Sequence, residues 1–193
     1  MSWKLLMILV LLGCDGRGAH ERGTIAIVPI GPVPMDVLVQ LQHELPAIVG
    51  RDVVIAQEIP RPANAFDLLR QQYRGDALLD ALARHDISAA ERVVGIIDAD
   101  SYAPGLNFIF GQAKKPGRFA VVALPRLRDS FRGRPEDDAR FRQRLLKETV
   151  HEIGHTFGFE HCDNPRCVMH FSNSFGDTDY KSAHFCERET LPR

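Results

Sequence analysis

Apolar residues fall along this chain in two rhythms, and the alternation between them predicts its elements. Thr24 to Ile30 is a β-rich apolar run closed by Gly31-Pro32, which predicts a buried strand. From Pro34 to Val49 the rhythm becomes helical, with Val37, Leu38, Leu41 and Leu45 on one face, Pro46 weakening the last turn and Gly50 stopping it. Asp52 to Ile59 predicts a second strand, ended by Pro60 and Pro62. Phe66, Leu69, Tyr73, Leu78 and Leu82 predict a long helix from Ala63 to His85, in which Gly75 permits a break. Arg92 to Ile97 is the most continuous apolar run and hence the predicted central strand. Leu106 to Gly111 and Phe119 to Leu124 predict two strands around a Lys114-Lys115-Pro116-Gly117 turn. A helix beginning near Pro135, with Glu136, Asp137 and Asp138 in its first turn, carries a stripe of Leu146, Val150, Ile153 and Phe157. Asp177 to Glu189 predicts a last helix. Strand and helix alternate first, and then two strands come together. That order predicts an α+β domain around a mixed, twisted β-sheet with an antiparallel addition.

Two features change this picture at the N-terminus. Lys4 precedes the apolar run Leu5 to Leu12, which has signal-peptide length and is too short to span a bilayer. The run ends in Leu11-Leu12-Gly13-Cys14, which resembles a bacterial lipobox whose cysteine becomes the lipid-bearing N-terminus. Residues 1–13 are therefore expected to be a leader of lipoprotein type, 14–23 a tether rich in Gly and charge, and 24–193 the folded domain. The expected location is the extracytoplasmic face of a bacterial membrane, facing the periplasm, held by lipid on Cys14. An ordinary signal peptide with an incidental cysteine is the alternative.

The formal net charge of −1 argues against a dedicated nucleic-acid binder. Residues 114–147 are locally basic, but Asp129, Glu136, Asp137 and Asp138 are interspersed, which reads as a solvated face rather than an anionic-lipid surface. Asp98 and Asp100, just past the central strand, read as turn residues rather than an acid/base pair.

The chemistry concentrates in His151-Glu152-Ile153-Gly154-His155-Thr156-Phe157-Gly158-Phe159-Glu160-His161, which has the form H-E-x-x-H-x-x-G-x-x-H. His151 and His155 stand four residues apart, so a helix aims both imidazoles from one face. A third ligand six residues further on cannot reach the same point from a straight helix. Gly158 can take positive φ, end the helix and swing the chain back, bringing His161 in. Three protein ligands leave a position for water, as in a catalytic zinc site. Glu152 lies about 100° further round the helix than His151, beside the metal, and suits a general base for a zinc-activated water.

The stretch His161-Cys162, Cys167-Val168-Met169 and Phe185-Cys186 extends this motif, and with it the chain resembles the archaemetzincins, a branch of the metzincin metallopeptidases. The segment from Asp98 to Ala113 is also similar to the strand and loop that precede the zinc helix in that family. The resemblance implies a zincin-type fold, peptide-bond hydrolysis of peptides or unfolded protein, and a Met-turn at Met169 beneath the zinc. It also implies an edge strand above the zinc helix, where Asn107 to Gly111 would hold an extended peptide. A second, structural zinc held by four thiolates is implied too. Here the fourth cysteine position is Glu189, so a mixed site of Cys162, Cys167 and Cys186 with Glu189, His170 or His184 stands beside a disulfide within the trio. Otherwise His170 and His184 are expected at the surface or behind the ligands. The alternative to an enzyme is a zinc-holding scaffold or assembly lipoprotein of the envelope, and an intact Glu152 weighs against it.

Overall fold

The apolar runs become strands because both of their faces are covered. The computed structural model describes residues 23–187, apart from Asp86, Ser88 and Asn173, together with Leu191 and Pro192. The leader, Cys14 with most of the tether, and Glu189 lie outside the described residues. A five-stranded sheet runs in the order β2 (Asp52–Ile55), β1 (Thr24–Pro29), β5 (Arg92–Ile97), β8 (Phe119–Ala123), β7 (Gly111–Ala113). The first four are parallel and β7 is antiparallel to β8, so the sheet is mixed with one antiparallel edge.

Side chains alternate across this sheet, as strand geometry requires. Ile25, Ile27, Val94, Ile96 and Val122 face α1 (Met35–Val49) and α3 (Asp138–Thr156), meeting Leu38, Leu41, Leu45, Val150 and Ile153. Ala26, Val28, Val93, Ile97 and Val121 face α2 (Gly75–Ala83), meeting Leu78, Leu79 and Leu82. The strand predicted as central, β5, is paired on both sides. The result is one α+β domain, with α3 laid under the β7–β8 side of the sheet.

Four boundaries differ from the sequence expectation. The helix expected over 63–85 survives only as α2. Before it lie a turn at Ala63–Ala65 and the hairpin of β3 (Phe66–Asp67) and β4 (Gln72–Arg74), with β4 joined to β6 (Ser101–Tyr102) in a second small sheet. Asp67 is the cause. Its carboxylate accepts the N–H groups of Leu69 and Arg70, and Gln71 takes φ 56°, so the helical spacing of Phe66, Leu69 and Tyr73 is coincidental. Leu106 to Phe110 is an irregular run rather than a strand, with Ile109 N–H donating to Ser101 and Phe110 carbonyl accepting from Ala123. The second strand ends at Ile55, and Ile59 adds one isolated bridge to Ile30. The last helix is short, α4 (Phe175–Tyr180), set by a capping box between Ser174 and Asp177.

The basic stretch is not simply a solvated face. Arg126 grips Asp100 and Arg128 grips Asp98, each through two nitrogens, tying the end of β5 to the turns before α3. Both aspartates are thus structural anchors, in keeping with a non-catalytic reading. Arg144 is buried outright between Asp129 and Asp179. Among the described residues no helix is long and apolar enough to cross a membrane.

Candidate active site

α3 starts where Asp137 caps it, its side chain accepting Arg140 N–H at 3.0 Å. It ends in a Schellman turn. Gly158 has φ 93°, its N–H donates to His155 carbonyl, and Phe159 N–H donates to Gly154 carbonyl. The chain reverses there, and His161 returns to the face that bears His151 and His155.

The three imidazoles then converge. His155 Nε2 lies 3.1 Å from His151 Nε2 and 3.3 Å from His161 Nε2. His151 Nδ1 donates to Val168 carbonyl at 2.8 Å and His155 Nδ1 donates to Phe159 carbonyl at 2.7 Å. These two bonds place the ring protons on Nδ1 and leave the Nε2 lone pairs facing one another. Bare lone pairs at this separation repel, and a shared cation relieves the repulsion. Ligands about 2.0–2.1 Å from a tetrahedral zinc stand about 3.3–3.4 Å apart, so the donor set fits zinc. Burial holds the pKa of all three histidines below the ordinary value, His151 furthest, which favours the neutral ligand form.

Glu152 is buried beside this cluster. Its Oε2 has no hydrogen-bond partner among the described residues. Burial pushes its pKa well above the usual carboxylate range, the charge of Glu148 adds to that, and Lys181 opposes it. What fixes the side chain is the backbone of Gly111 on β7. A Cβ there would stand 2.5 Å from Glu152 Cγ and 2.6 Å from Oε1. Gly154 does the same beneath the histidines, where a Cβ would lie 2.5 Å from Met169 Sδ. Met169 is fully buried at that point, and Cys162 N–H donates to its carbonyl at 3.0 Å.

A cleft of about 470 Å³ opens over the site. Its wall is the run 106–113, with Lys115 beyond, and the histidines, Glu148 and Glu152 form its floor. Glu148 is 3.0 Å from the fully buried Lys181 Nζ and also accepts from Thr178 Oγ1. The place of Gly111 against Glu152, together with Glu148 and Lys181, escapes a reading of the sequence alone. Glu148 carries a faint signal, one helical turn before Glu152. The other two arrive through tertiary contact.

Immediately after His161 comes a second cluster. The sulfurs of Cys162, Cys167 and Cys186 lie within 4.8 Å of one another, and Cys162 and Cys186 are 3.6 Å apart. That exceeds a disulfide's ~2.0 Å and matches two thiolates on one tetrahedral zinc at about 2.3 Å. Cys186 N–H donates to Cys167 Sγ at 3.3 Å. His170 Nδ1 bonds Cys162 carbonyl and His184 is exposed, so neither joins the histidine cluster. Tyr180 is exposed and packs under Arg166.

Comparison with known proteins agrees with this geometry. The model of peptidase family M54 matches residues 34–191. The archaemetzincin of Pyrococcus abyssi is 44% identical over 173 residues, covering 86% of this chain and 92% of that protein. The archaemetzincin of Methanopyrus kandleri is 41% identical over 162 residues, covering 83% and 89%. The crystal structure of the latter superposes with a TM-score of 0.78 at 37% identity, covering 88% of this chain and 92% of that one. A zinc-dependent peptidase from Methanocorpusculum labreanum superposes with a TM-score of 0.76 at 28% identity, covering 85% and 96%. These relatives are archaeal and lend no support to a bacterial lipoprotein leader. The chain belongs to peptidase family M54, the archaemetzincins, and is a zinc metallopeptidase.

Proposed function

We propose that His151, His155 and His161 hold the catalytic zinc through Nε2 and that Glu152 is the general base of peptide hydrolysis. The convergence of the three nitrogens, with two Nδ1 atoms tied back to carbonyls, carries this assignment. Zinc supplies Lewis acidity there, polarising a peptide carbonyl and making water nucleophilic at neutral pH. Of the run Asn107 to Gly111 expected to hold an extended peptide, only Gly111 falls in an edge strand, so the peptide is placed along the outer edge of β7, whose other edge pairs with β8. Glu152 takes the proton of the attacking water on its carboxylate and delivers it to the leaving amine. Gly111 keeps that carboxylate between edge strand and histidines. The zinc-holding scaffold finds no support in this site, because a retired peptidase has no use for a buried carboxylate beside the ligands. Glu152→Gln is nearly isosteric and tests the assignment. Zinc content should stay at the level of the unaltered protein while turnover of a peptide library falls about 10²–10⁴-fold. Unchanged turnover at full zinc would overturn it.

Cys162, Cys167 and Cys186 are proposed to hold a second zinc, with Glu189 or a nearby histidine as fourth ligand. A carboxylate is the harder partner, so this zinc should be the more easily stripped. Two zincs per chain with titratable thiols would support it; one zinc and a disulfide within the trio would replace it.

Lipid anchoring at Cys14 is likewise a proposal. It rests on Lys4, the run Leu5 to Leu12 and Gly13-Cys14, together with extracytoplasmic work on peptides or unfolded protein. Cys14→Ser should move the protein from the membrane fraction to the soluble one. Retention of a processed Cys14→Ser chain would point to another anchor.

A further inference from the structure

Two leucines stand in solvent on a hairpin that Arg70 ties to the cleft wall, and the fold goes to some length to hold them there. Leu68 is 76% exposed and Leu69 98%, at the tip of the β3–β4 hairpin. The tip is braced from every side. Asp67 accepts the N–H groups of Leu69 and Arg70, and also the hydroxyl of Tyr102 at 2.9 Å. Gln71 Nε2 donates to Leu68 carbonyl across the turn. Arg70 lies over the Tyr102 ring and donates to Gln72 Oε1 and to the carbonyls of Leu106 and Asn107. A hairpin stapled this thoroughly does not expose leucine for want of a better conformation.

Leu106 and Asn107, which Arg70 grips, belong to the cleft. Both line it, and Leu106 is itself 50% exposed. Gly111 sits against the base, and Lys115 lies beyond the other end of the wall. Leu106 is therefore where the wall ends on the far side of the base from Lys115. A chain lying along the wall and leaving at that end passes Leu106 and heads for the hairpin that Arg70 holds there. Arg70 thus ties the hairpin that bears Leu68 and Leu69 to the Leu106 end of the cleft wall.

We propose that Leu68, Leu69 and Leu106 form an accessory docking surface for an apolar stretch of the peptide substrate, several residues away from the bond that is cut. This rests on the peptidase reading of the cleft and narrows its substrates to extended chains with exposed apolar residues, as in unfolded protein. The charges around the tip favour a peptide over an anionic membrane. Arg70 is committed to carbonyls and the Tyr102 ring, Arg74 is paired with Asp76, and Asp67 adds negative charge.

The test measures binding rather than cleavage, on the zinc-loaded Glu152→Gln chain, by fluorescence anisotropy. One peptide of about six residues spans the cleft alone. Two longer ones add a Leu- and Phe-bearing extension at either end. One extended peptide should bind about tenfold to a hundredfold tighter than the short one, as expected for burying two or three leucines in part. Leu68→Ser/Leu69→Ser should abolish that gain and leave the short peptide unaffected; both side chains are in solvent, so the fold does not depend on them. Equal affinity for all three peptides overturns the proposal, as does a gain that survives the double substitution. So does loss of co-sedimentation with phosphatidylcholine–phosphatidylglycerol vesicles while peptide affinity persists, which would make the tip a membrane contact. If binding behaves as expected but the chain with Glu152 intact cleaves nothing, the hydrolytic reading fails and the docking surface stands.

Discussion

At the scale of single residues, Glu152, the proposed base, owes its place to a glycine on a neighbouring strand. His151 and His155 announce themselves because a helix puts residues four apart on one face, and Gly158 does so because only a left-handed turn returns His161 to it. Gly111 has no such signature. It stands forty-one positions before Glu152, and its contribution is a missing methyl. Its backbone does not lie in the left-handed region, so alanine there leaves the strand conformation intact and acts through the Glu152 side chain alone. Gly111→Ala should keep zinc and lower turnover about 10²-fold, the usual effect of an ångström's misplacement of a reacting group. The same alanine should cost little in a Glu152→Asp background, where the shorter side chain vacates the space. Equal losses in both backgrounds would show that the strand, and not the carboxylate, is disturbed.

At the scale of elements, α3 departs furthest from its pattern. A stripe of Leu146, Val150, Ile153 and Phe157 predicts one buried face, yet Val150 and Ile153 are fully buried, Leu146 and Phe157 only partly, and the polar residues between them are buried too. The polar face is a docking face for α4 and its flanks. Lys147 donates to the carbonyls of Thr178 and Asp179, Arg144 grips Asp179, and Lys181 pairs with Glu148. A six-residue helix has too little apolar surface to hold its place, and charge pairing supplies the rest. Lys181→Ala strands Glu148 as an unpaired buried charge, which should destabilise the chain by about 3–5 kcal/mol. The melting temperature should fall by about 10 °C. Adding Glu148→Gln should recover most of the loss; if it recovers none, the lysine acts through packing instead. The missed β3–β4 hairpin has the opposite cause. One aspartate, Asp67, overrides a helical spacing that extends only three apolar residues before α2.

At the scale of the molecule, the sheet was readable because strands buried on both faces appear as unbroken apolar runs. The second sheet was not, since strands of two or three residues leave no period to read. Metal and fold are expected to share stability. The three imidazoles converge only in the folded chain, so free zinc at a hundred times its dissociation constant should stabilise by about 2.7 kcal/mol. A melting temperature that ignores both chelator and added zinc would contradict this. The two clusters of donors also meet in the chain, at the single peptide bond joining His161 to Cys162. If each holds an ion, ordering the segment for one removes part of the entropy cost for the other, and the benefit is reciprocal by thermodynamic necessity. The protein would then fill with zinc cooperatively, and scarce metal would sort the population into empty and doubly loaded molecules, with few in between.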